Sequence, residues 1–427
     1  MRLFVAFIIL LNVIVYGAGD LHAQTDIGIE QYWNNGRPGY NIFELSKRVT
    51  EDDALHGFDR HLALTYLYIF GGDLGAAEHQ LELAKLSEVT QANQPETVDQ
   101  IYDAERALLR AGGKYEALAD LLAQKDGSNN IWTDYYNEFS RYHQIVTNST
   151  TPYELQNVST TPSSRIAIQA IVNGVSATLL FDTGGTLSII QPDLAKSAGI
   201  SLSAVSVPIR GISFEDSLAL TGIDEFSIGD LSFVNTPIMV PTSDDSFIAQ
   251  NLSREFSGIL GMTQLSQFGS VAFIVTEQHV SSLRIEHSNT TIGTPETPSN
   301  LMIRSDKLFA RLLLDGHIYS CLVDTGSPFT AISETIFEKH KTNMELKKVR
   351  PRKAKRRGLT GAHSNRPAFV ESLQVEVSGE LFSLTDIELV DSNKRPPDYC
   401  LLGLDSIIEA GGATIDFSKL SIKLGGS

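Results

Sequence analysis

Apolar positions along the chain change their period at a polar stretch spanning residues 147–163. Before it, from about Asp52 to Val146, they recur at helical spacing. Leu62, Ala63, Tyr66 and Leu67 run into Gly71-Gly72, and the pattern resumes from Leu74 to Leu86. The phrase returns from Ile101 to Leu109, through Gly112-Gly113, and on from Tyr115 to Leu122. Gly71 precedes Ala76 by five residues and Gly112 precedes Ala117 by five, a period of 41. A Gly turn with a small residue early in the next helix lets two helices pack closely. After the polar stretch the period becomes that of strands. Ile166, Ile168, Ala170 and Val172 put apolar residues at alternating positions and lead into a turn at Asn173-Gly174, and Leu308 to Leu314 turns at Asp315-Gly316. Short helices are predicted from Pro192 to Ala198 and from Glu334 to His340.

Two apolar runs end in the same turn. One reads Leu179-Leu180-Phe181-Asp182-Thr183-Gly184-Gly185, the other Cys321-Leu322-Val323-Asp324-Thr325-Gly326-Ser327. A carboxylate straight after a buried strand does nothing for stability, so Asp182 and Asp324 are the first candidates for chemistry. Gly174 to Asp182 and Gly316 to Asp324 are both 8 residues; Asp182 to Gly261 and Asp324 to Gly403 are both 79. Ile259-Leu260-Gly261 answers Leu401-Leu402-Gly403, and Gly269 answers Gly411. Every anchor is displaced by 142, which identifies an internal duplication. A second polar break, 287–300, separates the copies.

Composition narrows the class. The chain has 427 residues, 42% hydrophobic and 20% charged, with net charge -17, which argues against nucleic acid as a partner. Met1-Arg2, an apolar run from Leu3 to Tyr16 and Leu21-His22-Ala23 before Gln24 make a secretory signal, so a secreted or periplasmic protein is expected. The predicted organisation is signal peptide 1–23, helical domain 24–146, linker 147–163, first lobe 164–286, linker 287–300 and second lobe 301–427.

The helical part resembles tetratricopeptide-type hairpins, over about two units plus a capping helix from Ile131 to His143, although its period of 41 exceeds the usual ~34. A small bundle packed on the next domain and an array that recruits a protein partner both stay open. The hairpin, the Asp-Thr-Gly turn and the later apolar-apolar-Gly phrase resemble the retropepsin-like aspartic proteases, over roughly residues 164 to 425. The resemblance implies a multidomain α plus all-β chain: helical hairpins, then two tandem β-barrel lobes forming a pseudo-dimer. It implies an aspartic endopeptidase acting on a peptide or protein substrate. Two adjacent carboxylates share one proton, and the pair activates a water with no cofactor, metal or covalent intermediate. By the same resemblance Thr183 and Thr325 bond across the lobe junction, and Gly184 and Gly326 allow close backbone approach.

One departure stands out: Ser327 is expected to hydrogen-bond the outer oxygen of Asp324, whereas Gly185 cannot do so for Asp182. The alternative function is a catalytically inactive peptide- or protein-binding module on the same fold. Flap hairpins that cover substrate are placed at Arg210 to Phe214, with Gly211 and Phe214, and at Arg357 to Gly361, with Gly358 and Gly361. Lys347 to Arg357 holds eight basic residues in eleven, a solvated loop or a surface for acidic substrates. Membrane contact is expected only through an uncleaved signal or this basic loop. Cys321 and Cys400 each lie three residues before an anchor on strands that the family fold sets side by side, which makes them a candidate disulfide. Sequence signatures of metalloproteases, serine hydrolases and phosphate loops are absent.

Overall fold

A computed structural model describes residues 29–34, 37–88, 95–127, 130–142, 144–147, 152–161, 164–210, 215–252, 255–286, 299–344, 346–347, 356–358, 361–363, 368–393 and 395–426. The signal segment 1–23, the flap positions Gly211 and Phe214, and most of the basic stretch 347–357 lie outside them. No helix among the described residues is long and apolar enough to cross a membrane.

Six helices open the described chain: α1 (Ile42–Thr50), α2 (Gly57–Phe70), α3 (Leu74–Glu88), α4 (Pro95–Ala111), α5 (Tyr115–Asp126) and α6 (Ile131–Ser140). Left-handed Gly72 (φ 77°) and Gly113 (φ 65°) turn α2 into α3 and α4 into α5. The N–H groups of Gly71, Gly72 and Asp73 bond the carbonyls of Leu67, Ile69 and Tyr68. Those of Gly112, Gly113 and Lys114 bond Leu108, Arg110 and Leu109, the same set displaced by 41. The sequence period is therefore a repeat of backbone geometry. Helix α1 was not anticipated. Its nine residues are too few for a sustained period, and it is stabilised by burying Ile42, Phe43, Leu45 and Val49. Asn41 caps it and also donates to the Ile318 carbonyl at 2.7 Å, fixing the helix to the second lobe.

Each duplicated half folds into a closed six-stranded barrel. In the first, the strands run in the order Leu231–Pro241, Ile189–Ile190, Gly258–Leu260, Val175–Phe181, Ala167–Val172 and Glu215–Ile228, which pairs back onto Leu231–Pro241. In the second the order is Glu380–Val390, Ala331–Ser333, Cys400–Leu402, His317–Val323, Lys307–Leu314 and Ala368–Val377, closing onto Glu380–Val390. Side chains alternate inward along these strands, and one apolar cluster, including Phe181, Phe268, Phe273, Val323, Leu402 and Ile415, runs through both barrels.

A five-stranded sheet joins the lobes, in the order Ser421–Leu424, Gly412–Asp416, Ser270–Thr276, His279–Glu286 and Tyr153–Gln156. Its central pair is antiparallel and places Ala272 opposite Thr414, its own equivalent at a displacement of 142. The duplication is thus expressed as a two-fold axis through that residue pair. Tyr153–Gln156 corrects the reading of 147–163 as a linker. Its short alternation is too brief to register as a strand alone, but it completes the sheet edge by pairing with His279–Glu286. Ile145–Thr147 likewise pairs with Leu231–Pro241.

The helices lie on the outside of both barrels. Side chains of α1 and α2 pack with Phe309 and Ile318 of the second lobe, and Leu118, Leu122, Tyr135, Tyr136 and Phe139 of α5 and α6 pack with Ala167, Leu180, Val207, Leu218 and Met239 of the first. An ion pair between Arg110 and Asp306 ties α4 to the second lobe.

Cys321 and Cys400 face each other across the parallel pair His317–Val323 and Cys400–Leu402 and form a disulfide that closes a loop of 79 residues. Replacing both by Ser is expected to lower unfolding free energy by roughly 2–5 kcal/mol, read as a shift of the denaturant midpoint. An unshifted midpoint would show that the bridge contributes nothing to stability.

Candidate functional site

Both aspartates follow strands that end at the lobe junction, Val175–Phe181 and His317–Val323. Parallel pairing with the apolar-apolar-Gly strands holds them there: Asp182 N donates to Leu260 O at 3.1 Å, and Asp324 N to Leu402 O at 3.0 Å. The turn that follows is locked across the two-fold. Thr183 N donates to Thr325 Oγ1 at 3.1 Å and Thr325 N to Thr183 Oγ1 at 3.0 Å. The hydroxyls donate onward, Thr183 to Val323 O at 2.8 Å and Thr325 to Phe181 O at 2.9 Å. Both threonines are fully buried, so these bonds are sheltered from competing water.

The glycines come next. A Cβ on Gly184 would lie 2.4 Å from Asp324 Cγ, and one on Gly326 would lie 2.5 Å from Asp182 Cγ. Each carboxyl therefore rests on the glycine of the opposite turn, and any side chain there would push the pair apart. At Gly185 the nearest atoms to an added Cβ are 3.4 Å away, an ordinary contact. Glycine is not required at that position.

Gly184 N and Gly185 N donate to Asp182 Oδ1 at 2.9 and 3.1 Å, and Ser327 N donates to Asp324 Oδ1 at 3.0 Å. The expected hydroxyl bond from Ser327 to Asp324 is not what the structure places there. Ser327 Oγ turns away and donates to Phe329 O at 2.9 Å. The Gly185–Ser327 difference does not reach the carboxyls, because the backbone N–H, common to both residues, makes the contact; the two acids differ instead in the second N–H that Asp182 accepts from Gly184.

Burial raises the pKa of Asp182, opposed by the N–H groups of Gly184 and Gly185 and by a hydrogen bond with Asp324. Burial and then the charge of Asp182 push Asp324 up to about 7. The shared bond favours the charged form of Asp182 and the protonated form of Asp324, so the pair holds one proton and one negative charge near neutrality. The pair is assembled to share a proton.

Two supporting residues escaped the sequence reading of the site. Ser188 and Thr330, related by 142, receive the N–H groups of Gly261 and Gly403 at 2.9 and 3.1 Å. Thr330 also bonds Asp405 through N at 2.8 Å and Oγ1 at 2.7 Å. Hydroxyls at equal positions in both copies were the available signal. Around the proposed flaps, Ser206–Arg210 pairs antiparallel with Glu215–Ile228, and Arg356–Gly358 with Gly361–His363, so Gly358 faces Gly361. Among the described residues there is no cluster of His, Cys, Asp and Glu able to hold a metal.

Gly185→Ala is expected to change stability by less than about 1 kcal/mol, whereas Gly184→Ala or Gly326→Ala should cost about 1–3 kcal/mol by overpacking. Equal losses at all three positions in thermal melts would contradict this packing. Asp324→Asn carries a sign that follows from linkage. A carboxyl raised in the folded state supports stability below the ordinary Asp range and loses that support as pH rises toward 7. The melting temperature of the variant relative to the native chain should therefore rise between pH 4 and 8; a flat difference would mean Asp324 titrates normally.

Residues 168–263, the first lobe from its opening strand through the apolar-apolar-Gly phrase, match the model of a family described as aspartyl protease. The crystal structure of aspartic proteinase from Irpex lacteus is similar at 12% identity and a TM-score of 0.41, over 64% of this chain and 96% of that one. No curated protein matches the chain. The family match lies in the first lobe and the second lobe repeats the same barrel and Asp-Thr-Gly turn, so the chain is similar to the aspartyl protease family in a fused, two-lobe form, with a helical region ahead of its lobes.

Proposed function

We propose that this protein is an exported aspartic endopeptidase that hydrolyses peptide bonds with a water activated by Asp182 and Asp324. The single observation that carries the proposal is the crossed packing of each carboxyl on the opposite glycine, which brings the two acids together around one proton. Ionised Asp182 takes a proton from water as it attacks the peptide carbonyl, and protonated Asp324 donates to the developing oxygen. Collapse of the tetrahedral intermediate returns a proton to the leaving nitrogen and restores the shared one. The barrels set the geometry, the threonine bonds hold the separation, and the helices support both lobes from outside. Residues 1–23 direct export and are removed before Gln24.

A peptide library incubated with the mature protein should yield defined cleavages. Asp182→Asn and Asp324→Asn should each lower kcat roughly 10²–10⁴-fold. Activity should fall at low pH, as the ionised partner protonates, and again as pH rises past about 7, where Asp324 loses the shared proton. Cleavage that persists in both variants would refute the dyad, and peptide binding without cleavage across that range would favour a binding module. N-terminal sequencing of the exported chain should begin at Gln24.

A further inference from the structure

The wall beside Asp324 has a charge that the chemistry of the dyad does not use. The chain carries a net charge of -17, yet basic side chains collect at this junction. In the first lobe Arg165 Nη1 donates to Gly326 O at 3.3 Å, reaching the opposite Asp-Thr-Gly turn. Its equivalent at a displacement of 142 is Lys307, the first residue of Lys307–Leu314. The two-fold places Lys307 against the same junction from the other side.

From Lys307 an aromatic shelf leads to a second cation. Phe309, two residues along the strand and so on the same face, packs edge-on against Tyr40 with centroids 5.6 Å apart. Tyr40 packs on Tyr399 at 5.8 Å, and the Arg395 guanidinium lies over the Tyr399 ring at 5.0 Å. Tyr40 belongs to the segment ahead of α1 and is held by its hydroxyl, which donates to Cys400 O at 3.0 Å. The segment ahead of α1 thus supplies the middle ring of this aromatic row. Stacking occupies the face of the guanidinium and leaves its in-plane N–H donors available for a planar acid.

A charge count shows what the wall lacks. The dyad with its shared proton contributes one negative charge and Lys307 and Arg395 contribute two positive ones, while the charge of Arg165 is opposed by that of Glu255. Neither cation forms a carboxylate salt bridge among the described residues. Both are half-buried, where an unneutralised charge costs more than in water and a bound anion is attracted more strongly. Burial lowers the proton affinity of the Lys307 ammonium, while the charges of Asp324 and Asp182 raise it, which sets Lys307 within the field of both acids.

We propose that Lys307 and Arg395, at the two ends of the Phe309–Tyr40–Tyr399 shelf, form a subsite for a carboxylate side chain of the substrate, so that the enzyme selects acidic residues near the scissile bond. This substrate class rests on the endopeptidase reading for turnover, but binding at the subsite does not require cleavage.

The test therefore measures both. Fluorescent octapeptides, identical except for Glu or Gln placed in turn at each position, are assayed for anisotropy with the Asp324→Asn protein and for cleavage with the mature native protein. Glu should exceed Gln about 10-fold to 100-fold at one or two adjacent positions, the value of a charge-assisted contact. Lys307→Met and Arg395→Gln should each bring that ratio toward one, and Lys307→Arg should retain it. A Glu-to-Gln ratio near one in the parent proteins, or one that both neutralising variants leave unchanged, overturns the subsite. Cleavage without discrimination removes the subsite and leaves the endopeptidase. Discrimination in binding without cleavage removes the endopeptidase and leaves the subsite. Melting curves of the Lys307 and Arg395 variants separate a lost contact from a lost fold.

Discussion

Everything else in this molecule depends on a reciprocal contact at the lobe junction: each carboxyl can occupy its place only because the opposite turn carries a glycine there. The contact is steric before it is electrostatic. It needs the two turns to arrive at a fixed separation, and the buried threonine exchange supplies that separation. The threonines in turn need strands that end at equal heights, which the parallel pairing to the apolar-apolar-Gly strands provides. A chain of constraints thus runs from the interlobe sheet to two oxygen atoms.

Electrostatics then acts on that fixed frame. Two acids held in a buried site cannot both be charged cheaply, so the geometry compels them to share a proton. Symmetry of structure does not impose symmetry of charge. The copies agree in hydroxyl support, but their outer walls differ: the second lobe meets an aromatic residue from the N-terminal region, and it carries Lys307 where the first lobe has Arg165. Asymmetry resides in that outer wall and in the second N–H that Asp182 accepts from Gly184, while Gly185 and Ser327 make the same backbone contact.

The displacement of 142 made much of this legible. It located both acids, both threonines and both essential glycines, and it is the relation that pairs Ala272 with Thr414. The same displacement marked Ser188 and Thr330, but a lone hydroxyl in an apolar strand carries no chemical signature until its partner is seen. Tyr153–Gln156 and α1 were not legible, for a common reason. Both are short elements stabilised by partners far along the chain, His279–Glu286 in one case and Ile318 in the other. The turn of the Ser327 hydroxyl away from Asp324 was also hidden, because rotamer choice depends on a carbonyl two residues onward.

Carrying both half-sites on one chain changes what substitution can do. In an assembly of two identical chains, any replacement appears on both walls at once, and each wall must remain compatible with its own copy. Here a replacement at position 307 leaves 165 untouched, so the two sides of the cleft can diverge independently while the junction stays paired. Tethering also makes the encounter of the lobes intramolecular, set by a local concentration rather than by dilution. Specificity can then evolve on one side of a site whose assembly no longer depends on how much protein is present.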